Sequence, residues 1–247
     1  MLRGLLLALA FAALIAPAST RAQGGAVEPT PRWPDGRPNL GSAPDAKGYW
    51  EVRPGGQRNL ATSTPPGEIP YQPWTRALAN YRQSRVDLYP PAVHCIPTTG
   101  PGFYNAPGFE IVDAPELARI FIINIAGPHS WRVIYMDGRP HPPLDTLRPT
   151  FLGHSIGRWQ GDTLVIDTVG FNERQWVSGT NPTTDRLHLV ERFTRPSLRT
   201  LVYEATIDDP GAYTAPWTTG WTIDTETRSS WIEGGESFEY ICQGEER

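Results

Sequence analysis

The amino-acid sequence predicts an all-β protein, an antiparallel barrel carrying an extended Pro-rich N-terminal arm and one short helix. Three observations carry this prediction. Beyond Cys95 the chain runs in short stretches of alternating apolar and polar residues, as half-buried antiparallel strands require. Its 26 prolines and 24 glycines punctuate 247 residues too often for long helices. The strand candidates recur at regular spacing with hairpin-length connections, and closing them into a barrel removes unpaired edges.

The elements follow in chain order. Arg3, the apolar run Leu5 to Ile15 and small residues at Thr20 and Ala22 read as a secretory signal peptide over 1–22. Cleavage after Ala18 satisfies the same small-residue rule. The run is shorter than the roughly 20 apolar residues a spanning helix needs. No second stretch is long enough, so the mature chain is expected to have no stable membrane span and to be periplasmic or secreted. Residues 23–73 are dense in Pro, Gly, Ser and Thr and predict an extended arm, interrupted by an island at Gly48-Tyr49-Trp50. A single barrel-like domain is expected over 74–247. It opens with a helix whose Trp74, Ala77, Leu78 and Tyr81 share one face, expected to pack inward.

Strands are expected at Ala118 to Ile125 and at Trp131 to Tyr135, the latter ending in an Asp137-Gly138 hairpin turn. Leu152 to Trp159 pairs with Thr163 to Val169 through Gln160-Gly161-Asp162. Arg186 to Phe193 pairs with Leu201 to Ile207, and Gly220 to Thr225 and Phe238 to Cys242 follow.

Charge and cysteine content narrow the function classes. A formal net charge of −4, more negative once the leader is lost, is unsuited to nucleic acid. Cys95 and Cys242 form an even pair in a disulfide-permissive compartment and read as one bridge. Five histidines, His94, His129, His141, His154 and His188, show neither HxH nor HExxH spacing, so no metal and no cofactor is assigned. Gly153-His154-Ser155-Ile156-Gly157 has the spacing of a nucleophile elbow, but its strand-to-hairpin context is not the strand-to-helix turn that such a serine needs.

Several long motifs are family-like. Trp33-Pro34-Asp35-Gly36-Arg37-Pro38-Asn39-Leu40, Cys95-Ile96-Pro97, Met136-Asp137-Gly138-Arg139-Pro140-His141-Pro142, the run Gly153 to Thr168, Leu187-His188-Leu189-Val190-Glu191-Arg192-Phe193, Thr206-Ile207-Asp208-Asp209-Pro210 and Glu239-Tyr240-Ile241-Cys242 together resemble a large family of exported bacterial proteins. That resemblance implies an exported address and marks residues, but implies no reaction. The chain departs from the family pattern twice. Thr98-Thr99-Gly100-Pro101-Gly102-Phe103 stands where a Pro-Gly-x-Pro-Arg run is common, and Pro182-Thr183-Thr184 where a histidine is frequent. Gly48-Tyr49-Trp50 and Gly157-Arg158-Trp159 also resemble the Gly-x-Trp opening of lipocalins, which implies a calycin-like barrel.

Alternation singles out the site candidates, because a polar residue on an apolar strand face must be paired or functional. Glu191 shares a face with Leu187, Leu189 and Phe193, and His154 with Leu152 and Ile156, so both are expected inside, near a common cavity. They are the candidate catalytic pair. The competing reading is a buried structural ion pair of Glu191 with Arg139 or Arg158, and the third is a polar anchor for a ligand. Arg139 and His141, on one side of an extended segment, with Asp137, Trp159 and Asp167, are the candidate ligand-binding residues; for the first two a solvated loop is the plain alternative. Nine tryptophans and nine tyrosines supply aromatic surface for a ring-bearing ligand. The leading functional expectation is a small-molecule binder with its ligand in the barrel cavity. The alternatives are a lyase, isomerase or hydrolase using His154 and Glu191 on a carbohydrate-like or aromatic substrate, and a structural envelope protein that binds a partner.

Overall fold

A computed structural model describes residues 27–42, 47–52, 69–85, 94–104, 108–125, 130–178, 180–224 and 230–236. The leader, His129 and the expected strand ending at Cys242 lie outside the described residues.

The chain is all-β. Ten strands form one nearly closed, barrel-shaped sheet: β1 (Gly48–Glu51), β2 (Gly108–Ala114), β3 (Arg119–Asn124), β4 (Trp131–Tyr135), β5 (His154–Gln160), β6 (Thr163–Val169), β9 (His188–Ser197), β10 (Thr200–Asp208), β11 (Trp217–Ile223) and β12 (Ser230–Glu233). Their order is β11-β10-β9-β6-β5-β4-β3-β2-β1-β12. A small hairpin, β7 (Trp176–Ser178) and β8 (Asn181–Pro182), stands outside this sheet. The Gly48-Tyr49-Trp50 island of the arm is therefore barrel strand β1, paired with both β12 and β2. Trp50 is fully buried there, and its indole N–H donates to the Leu40 carbonyl.

The expected hairpins β5–β6 and β9–β10 form. The first turns through Gly161 at φ +59°, a left-handed conformation that costs glycine nothing. A hairpin at Asp137-Gly138 does not form, and this corrects the expectation. β4 and β5 run parallel, and parallel neighbours need a long crossover, here residues 136–153. Asp137 and Gly138 still turn the chain, with Gly138 at φ +77°, but they start the crossover.

Helix α1 (Pro73–Gln83) forms where its pattern places it, with proline in its first turn, a position where the missing N–H would have no intrahelical partner. It buries Thr75 and Ala79, whereas Trp74 and Tyr81 are about half exposed. The expected inward face is thus rotated. The Thr75 hydroxyl donates to the Ala212 carbonyl and the Trp74 indole N–H to that of Gly211, so polar anchors orient the helix.

Aromatic side chains fill the barrel. Tyr104 lies 5.0 to 5.8 Å, ring centre to ring centre, from Phe109, Phe193, Tyr203 and Trp221, and Tyr203 stacks on Trp221 at 4.7 Å. Tyr104 comes from a short 3-10 turn, Gly100–Tyr104, that lies wholly buried in the core.

Candidate functional site

Among the described residues, one ion pair lies fully buried in the interior of the barrel. On β9 the alternation of Leu189, Glu191 and Phe193 turns all three inward, as expected, and the glutamate meets Arg132 of β4 at 2.6 Å. Arg132 Nη1 also donates to Glu191 Oε1 and to the Tyr104 hydroxyl, and Nη2 reaches Ser155 and Thr168. The Tyr104 and Tyr203 hydroxyls both donate to Glu191 Oε1. Each charge is therefore met by an opposite charge and by neutral donors or acceptors, the condition under which a buried pair is tolerated. Burial pulls the guanidinium down, and the carboxylate and tyrosines outweigh it, holding Arg132 above its ordinary value. Desolvation pushes both phenols well up, so they remain donors.

Glu191 thus has an arginine partner, but it is neither Arg139 nor Arg158. Apolar Trp131, Val133 and Tyr135 look like the core face of β4, yet Arg132 and Ile134 are the buried residues. The expected pairing of Glu191 with His154 in a common cavity is also corrected. Ser155 of β5 turns inward to Arg132 and Thr168, so alternation puts His154 on the outer face.

That outer face carries a second polar array. His141, on the crossover, lies across β5 and β6, with Nδ1 at 2.8 Å from His154 Nδ1 and Nε2 at 3.1 Å from Asp167 Oδ1. His188 of β9 reaches the same Asp167 oxygen at 2.9 Å. Tyr135 stacks on the other flank of His154 at 5.2 Å, and Arg139 lies 4.2 Å from the centre of the Tyr135 ring. Strand alternation explains the line: His154, Asp167 and His188 occupy outward positions on three neighbouring strands of the sheet. Hydrogen bonding from His188 holds the Asp167 carboxyl below its usual range, with His141 adding to it. The same bond, with the Asp167 and Asp208 charges, lifts His188 above its ordinary value against desolvation. Desolvation, then His141 and Arg139, lowers His154. Two imidazoles on one strip are thus pushed in opposite directions. No group of three or more His, Cys, Asp or Glu among the described residues is arranged to hold a metal ion.

Beside His154 the sheet opens. β4 and β5 pair through only Ile134 with Ser155 and Tyr135 with Ile156. Ahead of β5, Thr150 is hydrogen-bonded to Gly170 and Asn172, which pins this part of the crossover away from β4. The gap is a half-open cleft of about 420 Å³, within the range of small-molecule sites. Trp131, Tyr135, Phe151 and Leu152 supply its apolar walls, and Arg132, Ser155 and His154 its polar ones. Trp131 is 61% exposed. The buried Arg132 Nε–H has no hydrogen-bond partner among the described residues.

Of the candidates read from the sequence, only His154 lines this cleft. His141 and Asp167 join it through hydrogen bonds. Arg139 folds back onto Asp137, and the pair reaches the site through the Tyr135 ring. Trp159 is elsewhere, packed against the core with Arg37 near its ring. Cys95 is described, in a left-handed conformation, but Cys242 lies outside the described residues. Sequence reasoning missed Trp131, Phe151 and His188 as site residues. His188 had a signal, since it alternates with the inward Leu187 and Leu189. Neither a family model, nor a curated protein, nor a solved structure matches this chain.

Proposed function

We propose that this protein is an exported binder of a small ring-bearing molecule, aromatic or carbohydrate-like, held in the cleft between β4 and β5 instead of along the barrel axis. The observation that carries the proposal is the cleft itself: about 420 Å³, walled by Trp131, Tyr135 and Phe151, with His154 among its polar lining residues. Flat aromatic walls suit a ring by stacking, and a few placed polar groups fix its orientation. The barrel axis is less suited to a ligand, because Tyr104, Phe109, Phe193, Tyr203 and Trp221 pack against one another around the Arg132–Glu191 pair.

Native mass spectrometry of freshly purified protein, followed by titration calorimetry with a panel of phenols and nitrophenyl glycosides, tests the reading. At least one compound is expected to bind. Trp131→Ala and Phe151→Ala are each expected to weaken it by about tenfold or more, the loss typical of a buried aromatic contact. A compound bound with affinity that neither change moves would place the ligand elsewhere and reject the proposal.

A further inference from the structure

We propose that Asp167, His141 and His154 form a proton relay that makes His154 a general base toward the molecule in the cleft, so that the protein catalyses proton abstraction from a ring-bearing carbon or oxygen acid. This inference rests on the cleft as the binding site. It adds a reaction to it.

The hydrogen-bond order dictates which nitrogen is the base. Asp167 Oδ1 is an acceptor only, so His141 Nε2 at 3.1 Å must carry its proton. With both rings neutral, His141 Nδ1 then holds a lone pair and accepts. The proton in the 2.8 Å contact between the two Nδ1 atoms therefore belongs to His154. That leaves His154 Nε2 bare. An aspartate fixing the tautomer of an imidazole that acts as base is the logic of the serine-protease triad, lengthened here by one ring.

The groups around His154 come from every neighbouring element: Arg119 of β3 near the Tyr135 ring, Tyr135 of β4, Arg139 and His141 of the crossover, Asp167 of β6, His188 of β9, and Asp208 of β10 opposite His188. Burial, His141 and Arg139 hold His154 below its ordinary value of 6.5, so its base form is present at neutral pH. In the step itself, the His154 Nε2 lone pair takes a proton from a substrate C–H or O–H. The electron pair of that bond stays on the substrate as an enolate or alkoxide. The new imidazolium is stabilised through His141 toward the Asp167 carboxylate. The proton then returns to another substrate atom, giving isomerisation, or to a departing group, giving elimination.

Two measurements test the relay. In the ligand-free protein, long-range ¹⁵N–¹H spectra of the imidazoles at neutral pH are expected to show His154 protonated on Nδ1 and bare on Nε2, and His141 protonated on Nε2. A proton on His154 Nε2 overturns the proposal. The second measurement uses nitrobenzisoxazole, a flat probe of general bases. Removal of its ring C–H turns that bond pair into the nitrile, breaks the N–O bond with its pair going to a phenolate, and leaves the proton on His154 for release to water. Saturable turnover is expected, rising with pH through one ionisation below 6.5 and then level, because only the unprotonated ring is a base. His154→Gln should lower it by about a hundredfold or more.

Asp167→Asn is the test of positioning. An amide N–H can donate to His141 Nε2, permitting the reversed tautomers, so the rate should fall by about a hundredfold or more while the protein still binds the probe. A retained rate in either variant overturns the proposal. Binding of the probe, seen as quenching of tryptophan fluorescence, without turnover rejects the relay alone. No binding at all rejects the cleft as an aromatic site and the reaction with it.

Discussion

At the scale of single residues, Glu191 and Arg132 show how a charged side chain sits inside an aromatic core. Taking either charge out of water costs several kcal/mol, and only close pairing with further hydrogen bonds offsets it. The pair lies at 2.6 Å, and Tyr104, Tyr203, Ser155 and Thr168 supply further partners, leaving the Arg132 Nε–H without one among the described residues. Glu191→Gln keeps the shape but leaves the Arg132 charge uncompensated. It is expected to lower stability by about 3–5 kcal/mol in urea unfolding. Replacing both partners by apolar residues, as in Arg132→Met with Glu191→Leu, removes the stranded charge and should cost clearly less. A Glu191→Gln loss no larger than that of a surface change, about 0.5 kcal/mol, would show that the pair is solvated. Arg195 solves the same problem without a carboxylate. It lies against both Trp50 and Trp231 and donates to the carbonyls of Asn39, Gly41 and Leu198, and burial pulls its guanidinium down to about 9.

At the scale of elements, most strands were legible because their apolar faces alternate, and the exceptions have physical causes. Leu189, Glu191 and Phe193 point inward as the pattern demands, since β9 lies mid-sheet with one face on the core. β4 and β5 misled it. On β4 the outer Trp131, Val133 and Tyr135 are aromatic or apolar while the inner face carries Arg132, so both faces look like core and alternation alone cannot choose between them. That ambiguity inverted the orientation of His154, and with it the expected catalytic pair. The parallel pairing was equally hidden, because Asp137-Gly138 is a good turn whether a hairpin or a crossover follows. Gly157 is the local mark of the true arrangement. A Cβ there would stand 2.4 Å from Met136 Sδ and 2.7 Å from Ile134 Cγ2, so glycine lets the chain leaving β4 lie against β5. Gly157→Ala should overpack this seam and lower stability by about 1–3 kcal/mol, the flexible methionine absorbing part of the clash. Unchanged urea midpoints would show that the seam is loose.

At the scale of the whole molecule, a barrel with sheet ends at β11 and β12 has to be held shut by contacts other than a complete ladder. The N-terminal arm supplies some. Its Glu28 carbonyl accepts from Leu198 N–H, the Thr30 hydroxyl donates to the Arg195 carbonyl, and the Asn39 and Gly41 carbonyls accept from the Arg195 guanidinium. Arg199 bridges Glu28 of the arm and Glu233 of β12. A covalent tie between Cys95 and Cys242 would reinforce this closure, joining the entry to the buried 3-10 turn with the far end of the chain. No free cysteine is present among the described residues. A bridge closing so long a loop stabilises mainly by restricting the unfolded chain, by about 3–5 kcal/mol. Protein exported to an oxidising compartment should therefore yield a single Cys95–Cys242 peptide on non-reducing mapping. Its Cys242→Ser variant should unfold at lower urea with the slope of the transition changed, because the unfolded state becomes more expanded. Since the bridge acts on the unfolded chain, binding in the cleft at temperatures well below the transition should be unaffected. Recovery of both cysteines as free thiols would reject the tie and leave closure to the arm.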